Sequence, residues 1–196
     1  GNYSASAGGD NVNQTYNWTI PDDISENTTV RISTQTGNAS IDINDTSNAT
    51  FKIKGQVSLS QPVGNETWYV GQDQQIKWDA IGTVNPAKLQ YSINNGSSWI
   101  DINTSYPGAE GSNVYNWTVP DRKNDTCLVR VSDARAAFSS EVVSTSSLFR
   151  IRPQINATQP VGNQNVTARS ENTTAIGWTY TGSKINYVNT YYSTDG

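Results

Sequence analysis

Apolar and polar positions alternate along several short stretches of this chain. In one of them, Cys127, Val129 and Val131 fall on one face of the alternation. Leu128 and Arg130 fall on the other face. A period of two that is rich in β-branched residues is typical of a half-buried β-strand. Because a helical period is almost absent from the chain, the pattern predicts an all-β protein.

Seven strands are predicted between residues 56 and 153. The segment Asn94-Asn95-Gly96 lies between two of them and predicts a hairpin turn, because Asn and Gly tolerate the positive φ that such turns need. Seven strands in about 100 residues are typical of a two-sheet β-sandwich. The predicted strands cover residues 57–60, 75–78, 88–92, 98–102, 114–119, 126–132 and 147–151.

The chain contains a tandem repeat. The heptapeptide Tyr-Asn-Trp-Thr-Ile-Pro-Asp of residues 16–22 returns at residues 115–121 with Val in place of Ile. Other matches lie at spacings of 98 to 101 residues, and a repeat of this length is a domain rather than a solenoid unit. These matches pair residues 30–33 with 129–132, 51–53 with 149–151, 61–65 with 159–163, 76–78 with 176–178, and 91–92 with 192–193.

The repeat predicts three segments. Residues 1–55 are predicted to be the back half of one module, residues 56–153 a complete module, and residues 154–196 the front half of another. Placed in the order front half then back half, the two end segments amount to nearly one period. Each half alone would expose a core face and unpaired sheet edges, so something is expected to complete it.

Two arrangements would complete the halves. The chain could be a stretch of a longer repeat protein, in which neighbouring sequence completes each module. Alternatively, the front half of one chain could complete the back half of the next by strand addition. The second arrangement is heterologous and joins copies head to tail, so it would build a filament.

The repeated residues resemble a known family. The matching motifs are I-x-W at 76–78, Tyr-Ser with an Asn-Gly turn and a Trp at 91–99, Y-x-W-T-V-P-D at 115–121, V-R-V-S at 129–132 and F-x-I at 149–151. They resemble the immunoglobulin-like repeats of large bacterial and archaeal surface proteins, and are similar to the immunoglobulin-like cell-wall domain of the Kre9/Knh type. The resemblance implies an immunoglobulin-like β-sandwich in tandem repeats of about 98 residues and implies no catalytic residues.

The N-x-S/T sequon is far more frequent than composition predicts. Fifteen of the 22 asparagines begin a sequon, whereas chance pairing with Ser and Thr would give about five. Asn, Ser and Thr also crowd together in turns, but heavy N-glycosylation explains the excess better. The predicted glycosylation sites are Asn2, Asn13, Asn17, Asn27, Asn38, Asn44, Asn48, Asn65, Asn95, Asn103, Asn116, Asn124, Asn156, Asn165 and Asn172.

The aromatic residues beside two of these sequons predict where the sugars point. In a strand, Tyr115 and Trp117 would face the core while Asn116 faces solvent, and the same pattern surrounds Asn17. Glycans on the polar face would also cover sheet edges. The aromatics predicted to be core residues, because they recur at equivalent repeat positions, are Tyr16, Trp18, Trp78, Tyr115, Trp117 and Trp178.

Charge and cysteine content exclude some functions and favour an extracellular, cell-surface location. The net charge is −4 without a basic tract, so a nucleic-acid role lacks an electrostatic basis. No apolar run reaches the length of a membrane span, and the start at Gly1 without a signal-peptide pattern indicates a mature fragment. The single cysteine, Cys127, is expected to be a buried strand residue, with intermolecular pairing as the alternative. A surface protein without disulfides, dense in sequons, indicates an archaeal envelope.

The chain is not expected to be an enzyme. It has no histidine, and its lone cysteine lacks a base to activate it. Carboxylates in two polar loops, Asp42 with Asp45 and Asp121 with Asp125, offer hard oxygen ligands for a structural Ca²⁺ ion. Neither loop has a full ligand set, and solvated loop carboxylates are the simpler interpretation. The predicted attachments are N-linked glycans, with no other cofactor.

Two classes of function remain open. One is a structural subunit of a filament, sheath or surface layer (S-layer), whose partners are copies of itself joined head to tail. The other is an adhesin or carbohydrate-binding stalk module, with cell-envelope polysaccharide as its partner. A carbohydrate-binding module should expose an aromatic platform. Among the tryptophans, Trp68 and Trp99 lack a clear counterpart in the repeats. Trp68 with Tyr69 is the best candidate for an exposed contact, and packing between neighbouring modules explains these residues equally well.

Overall fold

The computed structural model describes residues 14–34, 43–166 and 175–194. These residues contain strands and no helix. Two compact units, residues 1–54 and 55–196, are considered separately. The strands are β1 Ser25–Thr28, β2 Arg31–Ser33, β3 Asn44–Thr46, β4 Phe51–Ile53, β5 Gln56–Gln61, β6 Thr67–Tyr69, β7 Asp73–Ile81, β8 Ala87–Ser92, β9 Ile100–Tyr106, β10 Gly111–Thr118, β11 Asn124–Asp133, β12 Val143–Thr145, β13 Phe149–Arg152, β14 Gln154–Gln159 and β15 Gly177–Thr181.

Strands β5 to β13 form an immunoglobulin-like β-sandwich. One sheet has the order β10-β7-β5 and the other has the order β6-β13-β11-β8-β9, with β12 paired to β11. Every pair is antiparallel except β6 with β13, which is parallel. The all-β immunoglobulin-like fold predicted from the sequence is therefore confirmed. Below, the complete module means residues 56–153.

The alternation along β7 explains why this strand lies at the centre of its sheet. Ile76, Trp78 and Ala80 are buried. Between them, Lys77 is half-buried and Asp79 is exposed. A strand directs successive side chains to opposite faces, so this pattern fixes one apolar face against the other sheet.

Aromatic side chains fill the core between the two sheets. The Trp68 ring lies 4.7 Å from the Phe149 ring and 5.9 Å from the Trp117 ring, measured between centroids. The Tyr91 ring lies 5.1 Å from Trp117, and Trp78 lies at the other end of the core. Burial of each such side chain contributes roughly 1.5–3 kcal/mol to folding, so the aromatic cluster accounts for much of the stabilisation of the core.

The structure has two strands that the sequence pattern did not predict. They are β6 and β12, each three residues long. Strand β12 lies beside β11, and its Ser144 hydroxyl accepts a hydrogen bond from the Leu59 amide of β5 at 2.9 Å. This hydrogen bond links β5, at the edge of one sheet, to β12 of the other sheet.

The end segments repeat the strand pairing of the complete module. Strand β14 pairs with β15 as β5 pairs with β7, so that Ala157 lies opposite Trp178 as Leu59 lies opposite Trp78. Both pairs contain an irregularity at the same position. The β14–β15 hairpin therefore already has the backbone geometry of the first two strands of a module.

In the unit of residues 1–54, β1 pairs with β4 and β2 with β3. Residue Thr28 lies opposite Phe51, as Cys127 lies opposite Phe149 in the complete module. Residue Ile32 lies opposite Asp45, as Val131 lies opposite Ser144. These pairings correspond to the β11, β12 and β13 region of the complete module, so the unit has the geometry of the last strands of a sandwich.

The complete module and the β14–β15 hairpin are joined by direct contacts. The Asp121 carboxylate accepts a hydrogen bond from the Ser183 amide at 2.8 Å. The Gln72 side chain donates to the Gln154 side-chain oxygen at 3.3 Å. Gly182 has φ +97°, and a Cβ there would lie 3.2 Å from Val70. At this joint the Asp121 carboxylate accepts a hydrogen bond, and the backbone at position 182 comes so close to Val70 that glycine is favoured there.

Candidate glycosylation sites and open module faces

The described sequons lie where a glycan would have room. Of the fifteen predicted asparagines, Asn2, Asn13, Asn38 and Asn172 lie outside the described residues. Asn103 and Asn124 are half-buried. The other nine described sequon asparagines are exposed, namely Asn17, Asn27, Asn44, Asn48, Asn65, Asn95, Asn116, Asn156 and Asn165.

Sequon asparagines use their side-chain oxygen, and not their nitrogen, in several hydrogen bonds. The Asn116 oxygen accepts from Gln75 at 3.2 Å, and the Asn124 oxygen accepts from both the amide and the hydroxyl of Thr126. Asn94 and Asn113, which are not in sequons, instead donate through their side-chain nitrogens. N-glycosylation substitutes the side-chain nitrogen, so the hydrogen bonds that sequon oxygens accept are compatible with an attached sugar.

In the complete module the sequons lie on edge strands, in turns and at the start of β11. Asn103 is on β9 and Asn116 is on β10, each the outermost strand of its sheet. Asn65 and Asn95 occupy turns with φ of 65° and 54°. Edge strands present unpaired backbone groups that invite pairing with another chain, so sugars on β9 and β10 would cover these groups.

The predicted core aromatics separate into two groups. Trp78 and Trp117 are buried in the complete module, and Tyr115 is half-buried. In the end segments Trp18 is half-buried, 6.3 Å from the Phe51 ring, whereas Tyr16 and Trp178 are exposed. The exposure of these two differs from the expectation of a core position, because the described residues of each end segment do not include a facing sheet like the one that covers the counterpart.

The β14–β15 hairpin presents an open apolar face. Trp178 is 42 % exposed, whereas its counterpart Trp78 is 1 % exposed. Ile176 is 56 % exposed, whereas Ile76 is fully buried. On the same face as Trp178, Ile155 and Tyr180 are also exposed. The front half therefore exposes the side chains that would form its share of a sandwich core.

The unit of residues 1–54 presents the matching open face. Ile32 is 75 % exposed, and its counterpart Val131 is fully buried. Val30 and Phe51 are exposed as well, whereas the corresponding Val129 and Phe149 are buried. The unit of residues 1–54 thus exposes side chains whose counterparts lie in the core of the complete module. Contiguous apolar surface of this kind is typical of an interaction site.

The structure contradicts the prediction that Trp68 forms an exposed contact. Trp68 is 3 % exposed and packs against Trp117 and Phe149. Its counterpart in the next repeat is Val166, which keeps the position apolar but not aromatic. In the described part of the complete module, Tyr69 is the single aromatic residue that is classed as exposed. One exposed ring does not form the platform expected for carbohydrate binding.

Trp99 lies on the outer face of the β8–β9–β11 sheet and is covered by an arginine. The Arg130 guanidinium lies 4.2 Å from the Trp99 ring centroid and donates to Gln90 at 2.8 Å. Gln90 in turn donates to Asp101, which also contacts Lys88 at 3.0 Å. The hydrogen bonds from Lys88 and Gln90 lower the pKa of Asp101, and burial lowers the pKa of Arg130. The stacked arginine leaves this ring unsuited to stack on a sugar.

The calcium candidates are engaged with other protein groups or are exposed. Asp121 accepts from Ser183, Asp125 pairs with Arg152 at 2.6 Å, and Asp45 lies in β3. Asp42 lies outside the described residues. Within the described ranges, no three His, Cys, Asp or Glu residues are grouped so that they could hold a metal ion. The calcium hypothesis stays a prediction.

Two buried polar groups of the complete module have structural partners. Cys127 is fully buried and its thiol contacts the Asn124 carbonyl oxygen at 3.5 Å. Burial raises the pKa of the Cys127 thiol to about 11. Asp133 is also fully buried and accepts from the Arg135 guanidinium at 2.9 Å. Both groups hold the interior together at positions that solvent does not reach.

Comparisons with known proteins give a distant structural similarity. No protein-family model matches the chain, and no curated protein matches it. Among solved structures, the chain is similar to the fibronectin(III)-like modules of Clostridium thermocellum CbhA, with 17% sequence identity and a TM-score of 0.29. The match covers 49% of this chain and 94% of that chain. No helix in the described ranges is both long and apolar enough to cross a membrane.

Proposed function

We propose that this chain is a heavily N-glycosylated, non-enzymatic structural repeat of an extracellular cell-surface filament, sheath or surface layer. Its immunoglobulin-like modules form the scaffold, glycans cover their outer faces and edges, and copies of the chain associate head to tail. The observation that carries the proposal is the contrast between the closed complete module and the two open end segments. Equivalent residues are buried in the first and exposed in the second.

The placement of the sequons supports a glycosylated surface. None of the eleven described sequon asparagines is buried. By comparison, Asn113 is buried, and it is not part of a sequon. A glycan needs a solvent-facing attachment point, so this distribution is the one that glycosylation requires.

The chemistry of the chain supports a structural role over an enzymatic one. The sequence has no histidine, which is the commonest general base. The one thiol is buried with a raised pKa, so it is protonated and inert at neutral pH. Carboxylates that are paired, such as Asp133 and Asp101, are held by Arg135 and Lys88 in structural contacts.

The alternative is an adhesin or carbohydrate-binding stalk module that takes cell-envelope polysaccharide. The aromatic side chains of the complete module favour the structural role, because Trp68 is buried and the Arg130 guanidinium lies over the Trp99 ring. Tyr69 alone remains exposed in the complete module. The resemblance to prokaryotic surface repeats is compatible with either function, so the aromatic placement is what distinguishes them.

Mass spectrometry of the chain purified from its source tests the proposal. The intact mass is measured in strong denaturant before and after deglycosylation, and sequon peptides are then mapped. We expect a mass above the 21.4 kDa of the polypeptide, with sugars on exposed sites such as Asn116. An unmodified chain would contradict the glycosylated role. A much larger polypeptide would instead mean that neighbouring modules are covalently joined, which would contradict the head-to-tail association of separate chains.

A further inference from the structure

The two open faces correspond, residue by residue, to opposite sides of one closed core. The front-half face contains Ile176 and Trp178, whose counterparts Ile76 and Trp78 belong to the β10-β7-β5 sheet. The back-half face contains Ile32, whose counterpart Val131 belongs to the facing sheet. In the complete module the apolar faces of these two sheets pack against each other and are buried. The open faces therefore correspond to opposite sides of a core rather than to the same side.

We propose that the face formed by residues 154–166 and 175–194 docks onto the face formed by residues 14–34 and 43–54 of a second copy, and that these segments close into one sandwich with the strand order of the complete module. The inference rests on the proposed head-to-tail assembly and specifies its interface. Two like halves cannot replace this pair. Two front halves would duplicate the β5–β7 region and still lack the β11–β13 strands, so they could not reproduce the strand order of the complete module.

The complete module predicts the register of the composite sandwich. Ile76 lies opposite Tyr115 in the β7–β10 pair, so Ile176 should lie opposite Tyr16 of the second copy. Tyr91 lies opposite Val129 in the β8–β11 pair, so Tyr192 should lie opposite Val30. Both predicted pairs consist of residues that are exposed in the separate chain. Docking would remove from water four large side chains that are now uncovered.

The β14–β15 face also explains why a protein strand, and not a small ligand, should cover it. Ile155, Ala157, Trp178 and Tyr180 form an apolar stripe along two paired strands, with no charged side chain on this face. Among the described strands, β15 has one paired neighbour, whereas its counterpart β7 has two, β5 and β10. The vacant edge and the apolar stripe both fit an added strand, which supplies ladder hydrogen bonds and a core face together.

Charge substitutions on each face test the proposal in the full chain. Ile32→Asp places a carboxylate on the back-half face, and Ile176→Asp places one on the front-half face. Each should weaken self-association by at least about a hundredfold, because an unpaired charge would be buried in the composite core. Val114→Asp is the matched control, because Val114 is exposed in the complete module opposite Lys77. Analytical ultracentrifugation measures the species formed.

Mixing the two variants separates complementary docking from other association. The Ile32→Asp variant keeps an intact front-half face, and the Ile176→Asp variant keeps an intact back-half face. Neither variant should therefore polymerise alone, whereas a one-to-one mixture should give a discrete dimer and nothing longer. Near-UV circular dichroism from buried Trp78 and Trp117 checks that the complete module stays folded. Failure of the mixture to dimerise, or association of Ile32→Asp alone as strong as that of the unmodified chain, would overturn the proposal.

Engineered cysteines test the register independently. A Tyr16→Cys chain mixed with an Ile176→Cys chain should form an intermolecular disulfide, because directly opposed residues of an antiparallel pair bring their Cα atoms within disulfide range. A Tyr16→Cys chain mixed with a Tyr192→Cys chain is the mismatched control and should stay reduced. The native Cys127 does not compete, because it is buried. Equal cross-linking of both mixtures would reject the register. If the glycoprotein forms assemblies that neither charge substitution disrupts, the proposed interface is wrong. That result would not contradict the proposed structural function.

Discussion

Alanine substitutions at Trp78 and Trp178 compare one repeat position in a closed and an open module. Both tryptophans lie at the same place in equivalent strands, β7 and β15, and both face the apolar side of their sheet. The first is enclosed by the facing sheet and lies 5.4 Å from the Tyr106 ring. The second has no facing sheet within its own segment. The two substitutions remove the same atoms from different surroundings.

The expected costs follow from burial. Removing a fully buried tryptophan leaves a large cavity, so Trp78→Ala should destabilise the complete module by about 3–5 kcal/mol. That is a large part of the roughly 5–15 kcal/mol by which a folded domain is stable. Trp178 is 42 % exposed before the substitution, so Trp178→Ala should cost less, about 2 kcal/mol, in the separate chain.

Peptide-resolved hydrogen exchange at low chain concentration is the appropriate assay. The chain contains more than one folding unit, so a single unfolding free energy is not defined for the whole molecule. Exchange reports local and global opening for each peptide. Trp78→Ala should lower protection in β8, β10 and β11, whereas Trp178→Ala should affect β14 and β15 alone. Trp78→Phe, which keeps an aromatic ring, serves as the milder control.

Two results would refute this reasoning. Equal loss of protection for the two alanine variants at low concentration would mean that Trp178 is as enclosed as Trp78. Unchanged protection of β10 and β11 in Trp78→Ala would mean that Trp78 does not hold the sheets together. Raising the concentration until chains associate should increase the cost of Trp178→Ala, because the docked partner would then bury the ring.

Three further substitutions test other contacts. Arg135→Gln should destabilise the complete module by about 3 kcal/mol, measured as lost hydrogen-exchange protection in β8 and β11, because it leaves the Asp133 charge buried without the Arg135 guanidinium; equal protection in Arg135→Gln and Arg135→Lys would contradict this. Asp121→Ala should cost about 1 kcal/mol or less and raise exchange at Ser183, while Asp121→Asn keeps the acceptor. The Cys127 thiol has its pKa raised from 9.0 to about 11, so its contribution to stability is complete below pH 9 and is lost as the pH rises toward 11. The unmodified chain should therefore lose more stability over this range than Cys127→Thr, and parallel pH profiles would disprove it.

The sequence predicted the long strands well because their signal is periodic. In strand β11, Cys127, Val129 and Val131 are fully buried as their alternation predicts, and Arg130 between them is half-buried. Leu128, which was expected on the other face, is also buried. The three-residue strands β6 and β12 were missed, because three residues are too few to show a period. Strand β6 is positioned by pairing with β13, which lies far away in the chain, and β12 is positioned by pairing with the end of β11.

The position of Trp68 shows what the repeat comparison could not detect. The residue was expected to be exposed because no aromatic residue replaces it in the next repeat. Its counterpart Val166 is apolar, however, so the repeat conserves the need for burial and not the aromatic ring. Similarly, Asp121 was interpreted as a turn or calcium residue, whereas its carboxylate contacts Ser183 across the joint. A contact between successive modules leaves no local pattern in the sequence.

Glycans and docking faces can coexist because the strands separate them. In β14, Asn156 lies opposite Thr179 on one face, while Ile155 and Ala157 lie on the other face with Tyr180 and Trp178. A sugar on Asn156 therefore points away from the surface that is proposed to receive a second copy. Because the faces alternate with every residue, no position serves both purposes. The alternation of side chains along the strand thus places the predicted glycan on one face and the proposed docking surface on the other.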